Sequence, residues 1–287
     1  MERIAREILS PDERDYLLKR IDIIGDIAII KIHPFLEHKR FEIANYLLKI
    51  MSNIKVVYRQ VTPTRGAYRI KGLEWLGGEK RSWTIVKEYG CPLFVDIKKV
   101  FYTPRLSFEH MRIAKMVAPN EVILNMFAGI GSFSIMIAKY ARPKRIYSID
   151  INPYAYKLMI KNIRLNRVEN VVVPILGDAA EIILHHRLIN LCDRILMPLP
   201  FLALKYLPFA LLSLKPEGGY IHLYLNVFVP RGVKACHRAI KLCDLAFKSL
   251  NLDYEITSCR KVRSVGPRLL QVVLDVHIRK GFYFDLD

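Results

Sequence analysis

Residues 121–150 read EVILNMFAGIGSFSIMIAKYARPKRIYSID. EVILNMF is an apolar strand running into Gly129 and Gly131, SFSIMIAKYA is a helix, and RIYSIDI is a second strand carrying Asp150 near its end. Glycines where a strand feeds a helix let the backbone turn tightly and let a ligand approach the main chain. Asp150 stands nineteen residues beyond Gly131. A carboxylate there can accept both ribose hydroxyls of an adenosine-containing cofactor.

The same rhythm continues outward. SFEHMRIAKMV is a helix ahead of this unit. PYAYKLMIKNIRLN, VVVPILG, RILMPLP, FLALKYLPFALLSL, GGYIHLYLNV and VKACHRAIKLCDLAFKSL continue it with three further strands among helices. YEITSCRKV and LLQVVLDVHI close the chain as two strands. The pattern predicts a Rossmann-like, mostly parallel seven-stranded sheet with a terminal antiparallel hairpin. That is the class I S-adenosylmethionine-dependent methyltransferase variant of the α/β fold, here spanning residues 99–287. NAD also fits this arrangement of glycines and acids. The absence of the third glycine of a dinucleotide fingerprint, with Ser134 the nearest small residue, and the closing hairpin favour S-adenosylmethionine. Candidate cofactor residues are Phe127, Ala128, Gly129, Gly131, Asp150, Ile151, Asp178 and Ala179, with Asp178 placed to face an adenine amino group. Asp150 and Asp178 precede INPYAY and AAEIIL, so each is equally placed to cap a helix.

Residues 1–98 have a different character and predict a small α+β domain that binds RNA or positions substrate. DIIGDIAIIKI is a hairpin around Gly25-Asp26, FEIANYLLKIMS an amphipathic helix, IKVVYRQV a strand and SWTIVKEYGCPLFVDI a second hairpin. No βαβ rhythm is expected here, and TPTRGAYRIKGLEWLGG reads as a basic, loop-rich stretch.

Lysine and arginine total 45 against 27 acidic residues, a formal charge of +18. Such an excess attracts polyanions and points to nucleic acid. Five cysteines form no Cys-x-x-Cys pair, which fits reduced thiols in a cytoplasmic protein without disulfides or a required metal. No apolar run approaches the roughly 20 residues of a membrane helix, and the charged N-terminus has no signal core. A monomer without membrane contact is expected.

VDIKKVFYTPRLSFEHMRIAKMV, NMFAGIGSFSI, YSIDINPYA and DRILMPLPF together carry a resemblance. Over nearly its whole length the chain resembles the archaeal and eukaryotic tRNA guanine-N1 methyltransferases acting at position 37, beside the anticodon. The related wybutosine-pathway aminocarboxypropyltransferases share much of the pattern. The resemblance implies a tRNA anticodon stem-loop as partner and S-adenosylmethionine as cofactor. Guanine N1 carries a proton at neutral pH, so methylation needs a base for that proton and a positive donor for the charge gathering on O6.

The resemblance implies Glu109 of PRLSFEH as that base, against a bland reading as an exposed glutamate in a first helical turn. It implies Arg69 of GAYRIKG as the O6 donor, against a reading as one phosphate-binding side chain among Arg59, Arg65 and Lys71. Arg105 would support the substrate loop or a phosphate, and His110 would line the methionine end of the cofactor. Pro200 keeps the family proline as a wall of the base pocket. Pro198 stands where the family has asparagine, so the main-chain carbonyls of residues 197–199 are expected to hold the base.

Arg69 and the intact Pro104-Arg105-Leu106 favour methyl transfer, with a wyosine precursor as a further possible substrate. The chain begins near the second domain of the methyltransferases, an architecture closer to the aminocarboxypropyl branch, which is the alternative activity. A catalytically inactive tRNA-binding homologue is the third reading.

Overall fold

The apolar residues sort into two units, Met1–Pro104 and Arg105–Asp287. In this computed structural model residues 2–18, 20–64, 66–185 and 188–280 are described. The division falls six residues past the boundary expected from the sequence. Ile97, Val100 and Tyr102 are buried in the first unit, and the Tyr102 hydroxyl donates to Glu88 Oε1 at 2.6 Å.

The first unit opens with helix α1 (Glu2–Glu7), then strands β1 (Ile21–Ile24) and β2 (Ile27–Ile30), antiparallel around Gly25-Asp26 as expected. Gly25 has φ +57°, and a Cβ there would meet Thr84 Oγ1 at 2.3 Å, so glycine is required by both conformation and space. Helix α2 (Arg40–Ile50) buries Ile43, Ala44 and Leu47, one face at helical spacing, against Ala28, Ile30, Val57 and Leu76.

Strand β3 (Val56–Gln60) then pairs parallel with β2, so β2, α2 and β3 form a βαβ crossover where none was expected. The four-residue strand β2 lies just ahead of a 3-10 turn at Pro34–Lys39, which hides the rhythm. The stretch expected to be loop also contains strand β4 (Leu73–Gly78), antiparallel to β3, giving the order β1-β2-β3-β4. A two-stranded sheet of β5 (Trp83–Glu88) and β6 (Cys91–Asp96) follows.

The second unit begins with α3 (Ser107–Met116). Strand β7 (Val122–Asn125), α4 (Ser132–Tyr140), β8 (Arg145–Asp150), α5 (Pro153–Asn166), β9 (Val172–Leu176), α6 (Ala179–His185), β10 (Arg194–Met197), α7 (Ala203–Ser213) and β11 (Gly219–Phe228) alternate as the sequence predicts. Helix α8 (Ala235–Ser249) leads to β12 (Tyr254–Gly266) and β13 (Leu269–Ile278), the antiparallel hairpin. The sheet order is β12-β13-β11-β10-β7-β8-β9, with β13 antiparallel to β11 and β7 through β11 parallel.

Pro174 sits within β9, which the sheet tolerates because β9 is its edge. The core packs Leu124, Ile195, Met197, Leu223 and Leu274 against Leu207 of α7 and Phe247 of α8. Burying side chains of this size contributes roughly 1.5–3 kcal/mol each. The order of the strands reverses between β7 and β10, and ligands of open α/β sheets bind outside the carboxyl ends of the strands at such a point.

Candidate active site

The loop from β7 to α4 is fixed by hydrogen bonds to the next strand. Ala128 N–H donates to the Ile149 carbonyl at 2.8 Å, and Gly129 N–H donates to Asp150 Oδ2 at 2.6 Å. Asp150 Oδ1 accepts from Asn152 N–H at 2.9 Å. The helix cap of α5 is Asn152, whose side chain accepts from Tyr154 N–H at 3.0 Å, so Asp150 is not spent on capping. Burial raises its pKa, and the two main-chain donors hold it down. Gly131, at φ +89°, makes the left-handed turn into α4. A Cβ on Gly129 would meet nothing within 4 Å, so the loop faces open space beside the Asp150 carboxylate.

Asp178 behaves differently from Asp150. It caps α6, accepting from Ala180 N–H at 2.8 Å and Glu181 N–H at 3.4 Å, and its other oxygen accepts from the Tyr206 hydroxyl. Ala179 is buried in that first turn. Tyr206 meets Phe127 edge-on at 5.2 Å, while Ile151 is an exposed apolar side chain just past β8. The open loop, a half-buried carboxylate outside the helix cap and this apolar border fit the nucleoside end of S-adenosylmethionine. Ser134, where a dinucleotide fingerprint has glycine, is fully buried and ties β7 to β8 through Asn125 Nδ2 at 3.1 Å and Ser148 Oγ at 2.7 Å.

Glu109 is 2% exposed, which removes the reading as a surface glutamate. Its Oε2 accepts from Arg112 Nε at 3.0 Å and from the Tyr224 hydroxyl at 3.2 Å. Its Oε1 lies 3.1 Å from Arg260 Nη1, an ion-pair approach whose angles fall short of a hydrogen bond. Among the described residues nothing donates a hydrogen bond to that buried oxygen. Arg260 also lies over the exposed Phe108 ring, 4.8 Å from its centre.

Behind Glu109 runs a chain of buried and half-buried polar groups. Arg112 holds Asp275 with two hydrogen bonds of 2.6 and 3.1 Å. Asp275 Oδ1 lies 2.6 Å from His222 Nδ1, and His222 Nε2 lies 2.7 Å from Arg194 Nη1, which belongs to a guanidinium paired with Glu121. A guanidinium only donates, so Nε2 accepts and the proton of a neutral ring sits on Nδ1, facing Asp275. Burial lowers the His222 pKa in the same sense. Burial opposes the charge on Asp275, yet His222 and Arg112 outweigh it and hold the carboxyl well below the usual range.

His110 is buried, edge-on to Phe133 at 4.4 Å, and Phe133 meets Tyr224 at 5.8 Å. Strand β10 ends at Met197, ahead of half-buried Pro198, Leu199 and Pro200. The Leu199 carbonyl accepts from Leu202 N–H at 3.1 Å in a turn, which uses one of its two acceptor positions.

In the first unit Arg69 adopts φ +54° with its N–H donating to the Gly66 carbonyl at 3.1 Å. Its guanidinium lies over Phe101 at 5.2 Å, and burial lowers its pKa. Arg59 is committed to Glu74 and Glu37, so it is no phosphate ligand, and Lys71 lies 4.0 Å from Asp22. Arg105 is exposed in a 3-10 turn at Pro104–Leu106. Arg65 lies outside the described residues.

Sequence reasoning missed Arg112, Tyr224, Arg260, His222 and Asp275. The signals were present. Arg112 is one helical turn past Glu109, His222 and Tyr224 alternate onto one face of β11, and Asp275 interrupts an apolar strand. Among the described residues no helix is long and apolar enough to cross a membrane.

Sheet order, glycine loop and strand-end acid define the methyltransferase class of nucleoside-binding α/β fold. The chain belongs to the TRM5/TYW2 methyltransferase family, whose methyltransferase-domain profile matches residues 84–251, while the TYW2 N-terminal domain profile matches residues 1–81. It is similar to the tRNA 4-demethylwyosine(37)-methyltransferase Taw21 of Saccharolobus solfataricus, with 41% identity over 267 residues, covering 92% of this chain and 95% of the relative. It is similar to the tRNA (guanine(37)-N(1))-methyltransferase Trm5b of Pyrococcus abyssi, with 38% identity over 275 residues, covering 95% of this chain and 79% of that protein. Among solved structures, TYW2 of P. horikoshii in complex with MeSAdo superposes with a TM-score of 0.79 at 28% identity, covering 98% of each chain.

Proposed function

We propose that the chain transfers the methyl group of S-adenosylmethionine to the base at tRNA position 37, with N1 of guanosine as the acceptor. The observation that carries this reading is Glu109 Oε1, a buried carboxylate oxygen to which no described residue donates a hydrogen bond. Arg260 balances its charge from 3.1 Å without donating a hydrogen bond; buried acceptors lacking one are rare, and a substrate N–H would supply it. Arg112 and Tyr224 fix Oε2, which leaves Oε1 as the atom that takes the N1 proton.

S-adenosylmethionine, when bound, supplies a methyl group made electrophilic by its sulfonium. Asp150 would accept the ribose hydroxyls, Gly129 leaves the main chain approachable, and Phe127, Ile151, Ala179 and the Asp178–Tyr206 pair border the adenine. Ala128 and Gly131 shape the loop, and His110 and Pro198 are assigned to the methionine side. Arg69 is assigned to the charge on guanine O6, and Pro200 to the wall of the base pocket. Arg65, Lys71 and Arg105 are assigned to RNA phosphates.

A second reading has a specific support. The 41%-identical relative, matched over 95% of its length, is named for 4-demethylwyosine at the same tRNA position, and Pro198 departs from the asparagine of the guanine-N1 pattern. That tricyclic base is therefore proposed as an alternative acceptor at the same site. Arg69 and Pro104-Arg105-Leu106 favour methyl over aminocarboxypropyl transfer.

The test is incubation with cofactor labelled on the methyl or on the carboxypropyl carbons and with tRNAs carrying guanosine, adenosine or 4-demethylwyosine at position 37. Methyl label in the guanosine tRNA and not in the adenosine tRNA is expected. Methyl label confined to 4-demethylwyosine shifts the acceptor to the tricyclic base. Carboxypropyl label, or tRNA binding with no transfer at all, overturns the assignment.

A further inference from the structure

Both tryptophans of the chain, Trp75 and Trp83, line one groove of the first unit, about 610 Å³ in volume, with Tyr58, Lys80, Lys98 and Lys99. The volume falls within the roughly 300–1,000 Å³ of ligand clefts. Lys80 Nζ lies 5.7 Å from the Trp75 ring centre and Lys98 Nζ lies 5.2 Å from that of Tyr58. Arg81 lies 5.3 Å from the Trp83 ring, but it is already occupied. It grips Asp26 at 3.0 and 2.5 Å and Glu79 at 2.6 Å, and donates to the Trp83 carbonyl at 2.7 Å.

Arg81 therefore builds the wall, while the three lysines are exposed, Lys99 with its Nζ 4.0 Å from Asp96 Oδ2. The lining's carboxylate, Asp96, is buried and accepts from the Lys98 main-chain N–H at 3.1 Å. Trp83 is 46% exposed and stacks on Phe94 at 5.3 Å with the ring planes 17° apart, so a rigid indole stands at the solvent edge.

An exposed, braced indole beside three lysines suits a ligand that is flat and apolar on one side and anionic at its edge. Bases on a phosphate chain have that form, and aromatic platforms with cationic grooves are how single strands are held. The net charge of +18 favours the same partner.

We infer that this groove binds a single-stranded stretch of the substrate RNA, with phosphates against Lys80, Lys98 and Lys99 and bases against Trp83 and Trp75. Each ammonium now over a ring moves to a phosphate as the base takes its place. The inference rests on the proposed action on tRNA and adds a contact surface to it.

Because the two tryptophans are the only ones in the chain, tryptophan emission, excited beyond the absorption of the 15 tyrosines, reports on this groove. Titration of the full-length protein with tRNA, and with a short single-stranded RNA, should quench the emission in a salt-dependent way. The triple variant K80A/K98A/K99A should weaken tRNA binding at least about tenfold and flatten the slope of log affinity against log salt by about 2. Trp83→Ala should weaken binding about tenfold with the slope kept. Binding of S-adenosylmethionine and the melting temperature serve as folding controls.

Unquenched emission at saturating tRNA, or variants that bind tRNA with wild-type affinity and slope, would overturn the inference. A wild-type protein that binds RNA with quenching but transfers no group would remove the proposed activity and leave the groove standing.

Discussion

The arginine network of the second unit and the lysine groove of the first put positive charge to opposite uses. In the second unit half-buried Arg112 and buried Arg194 are matched to Asp275, Glu109 and Glu121, with His222 between them. In the first unit Lys80, Lys98 and Lys99 stand exposed along an aromatic groove whose carboxylate is already engaged. A buried ion pair orients groups and is destroyed by losing either member. An exposed lysine contributes little to folding and much to the capture of a polyanion. Composition alone reports +18 and cannot separate the two uses; only the partners of each charge do so.

The sharpest break of this contrast is Asp275→Asn. It takes the charged partner from Arg112 and the charged acceptor from the His222 Nδ1–H, and should cost about 3–5 kcal/mol of stability, read by chemical or thermal unfolding. Lys98→Ala should change stability by no more than about 0.5 kcal/mol. Asp150→Asn removes a charged acceptor outside both networks and should weaken S-adenosylmethionine binding by roughly 10–100-fold in calorimetry, with the fold intact. Tyr224→Phe should cost about 1 kcal/mol, because it removes a single hydrogen bond to Glu109.

The smallest expected effect is a pH slope. Neutral, buried His222 has a pKa below its unfolded value, so its contribution is whole above about pH 6.5 and is lost as the pH falls toward the lowered folded value. Melting temperature should drop between pH 7 and 5, and His222→Gln should flatten that drop. A variant with the wild-type slope would remove His222 as its source.

The second unit was legible because each strand and helix carries its own period, and parallel strands read as apolar runs. The mostly parallel sheet with its closing hairpin, the glycine turn and Asp150 followed from that. Strand β4 was hidden because LEWLGG is short and follows a basic loop. The crossover β2-α2-β3 was hidden because no local pattern states whether two strands pair parallel. Glu109 was named through its resemblance to a family motif, but its burial was not legible. Burial depends on Tyr224, Arg260 and Asp275, which lie 115, 151 and 166 residues away in sequence. The Pro198-Leu199-Pro200 turn was placed correctly at the end of its strand, but the use of the Leu199 carbonyl depends on a loop bond to Leu202.

The central claim is that Glu109 Oε1 receives the proton displaced from the tRNA base. Single-turnover methyl transfer by Glu109→Gln, at saturating cofactor and tRNA and with both affinities measured, tests it directly. A rate lowered at least about 100-fold with affinities near wild type is the predicted result. A variant that keeps the wild-type rate, or one that loses affinity without slowing the bound complex, would contradict it.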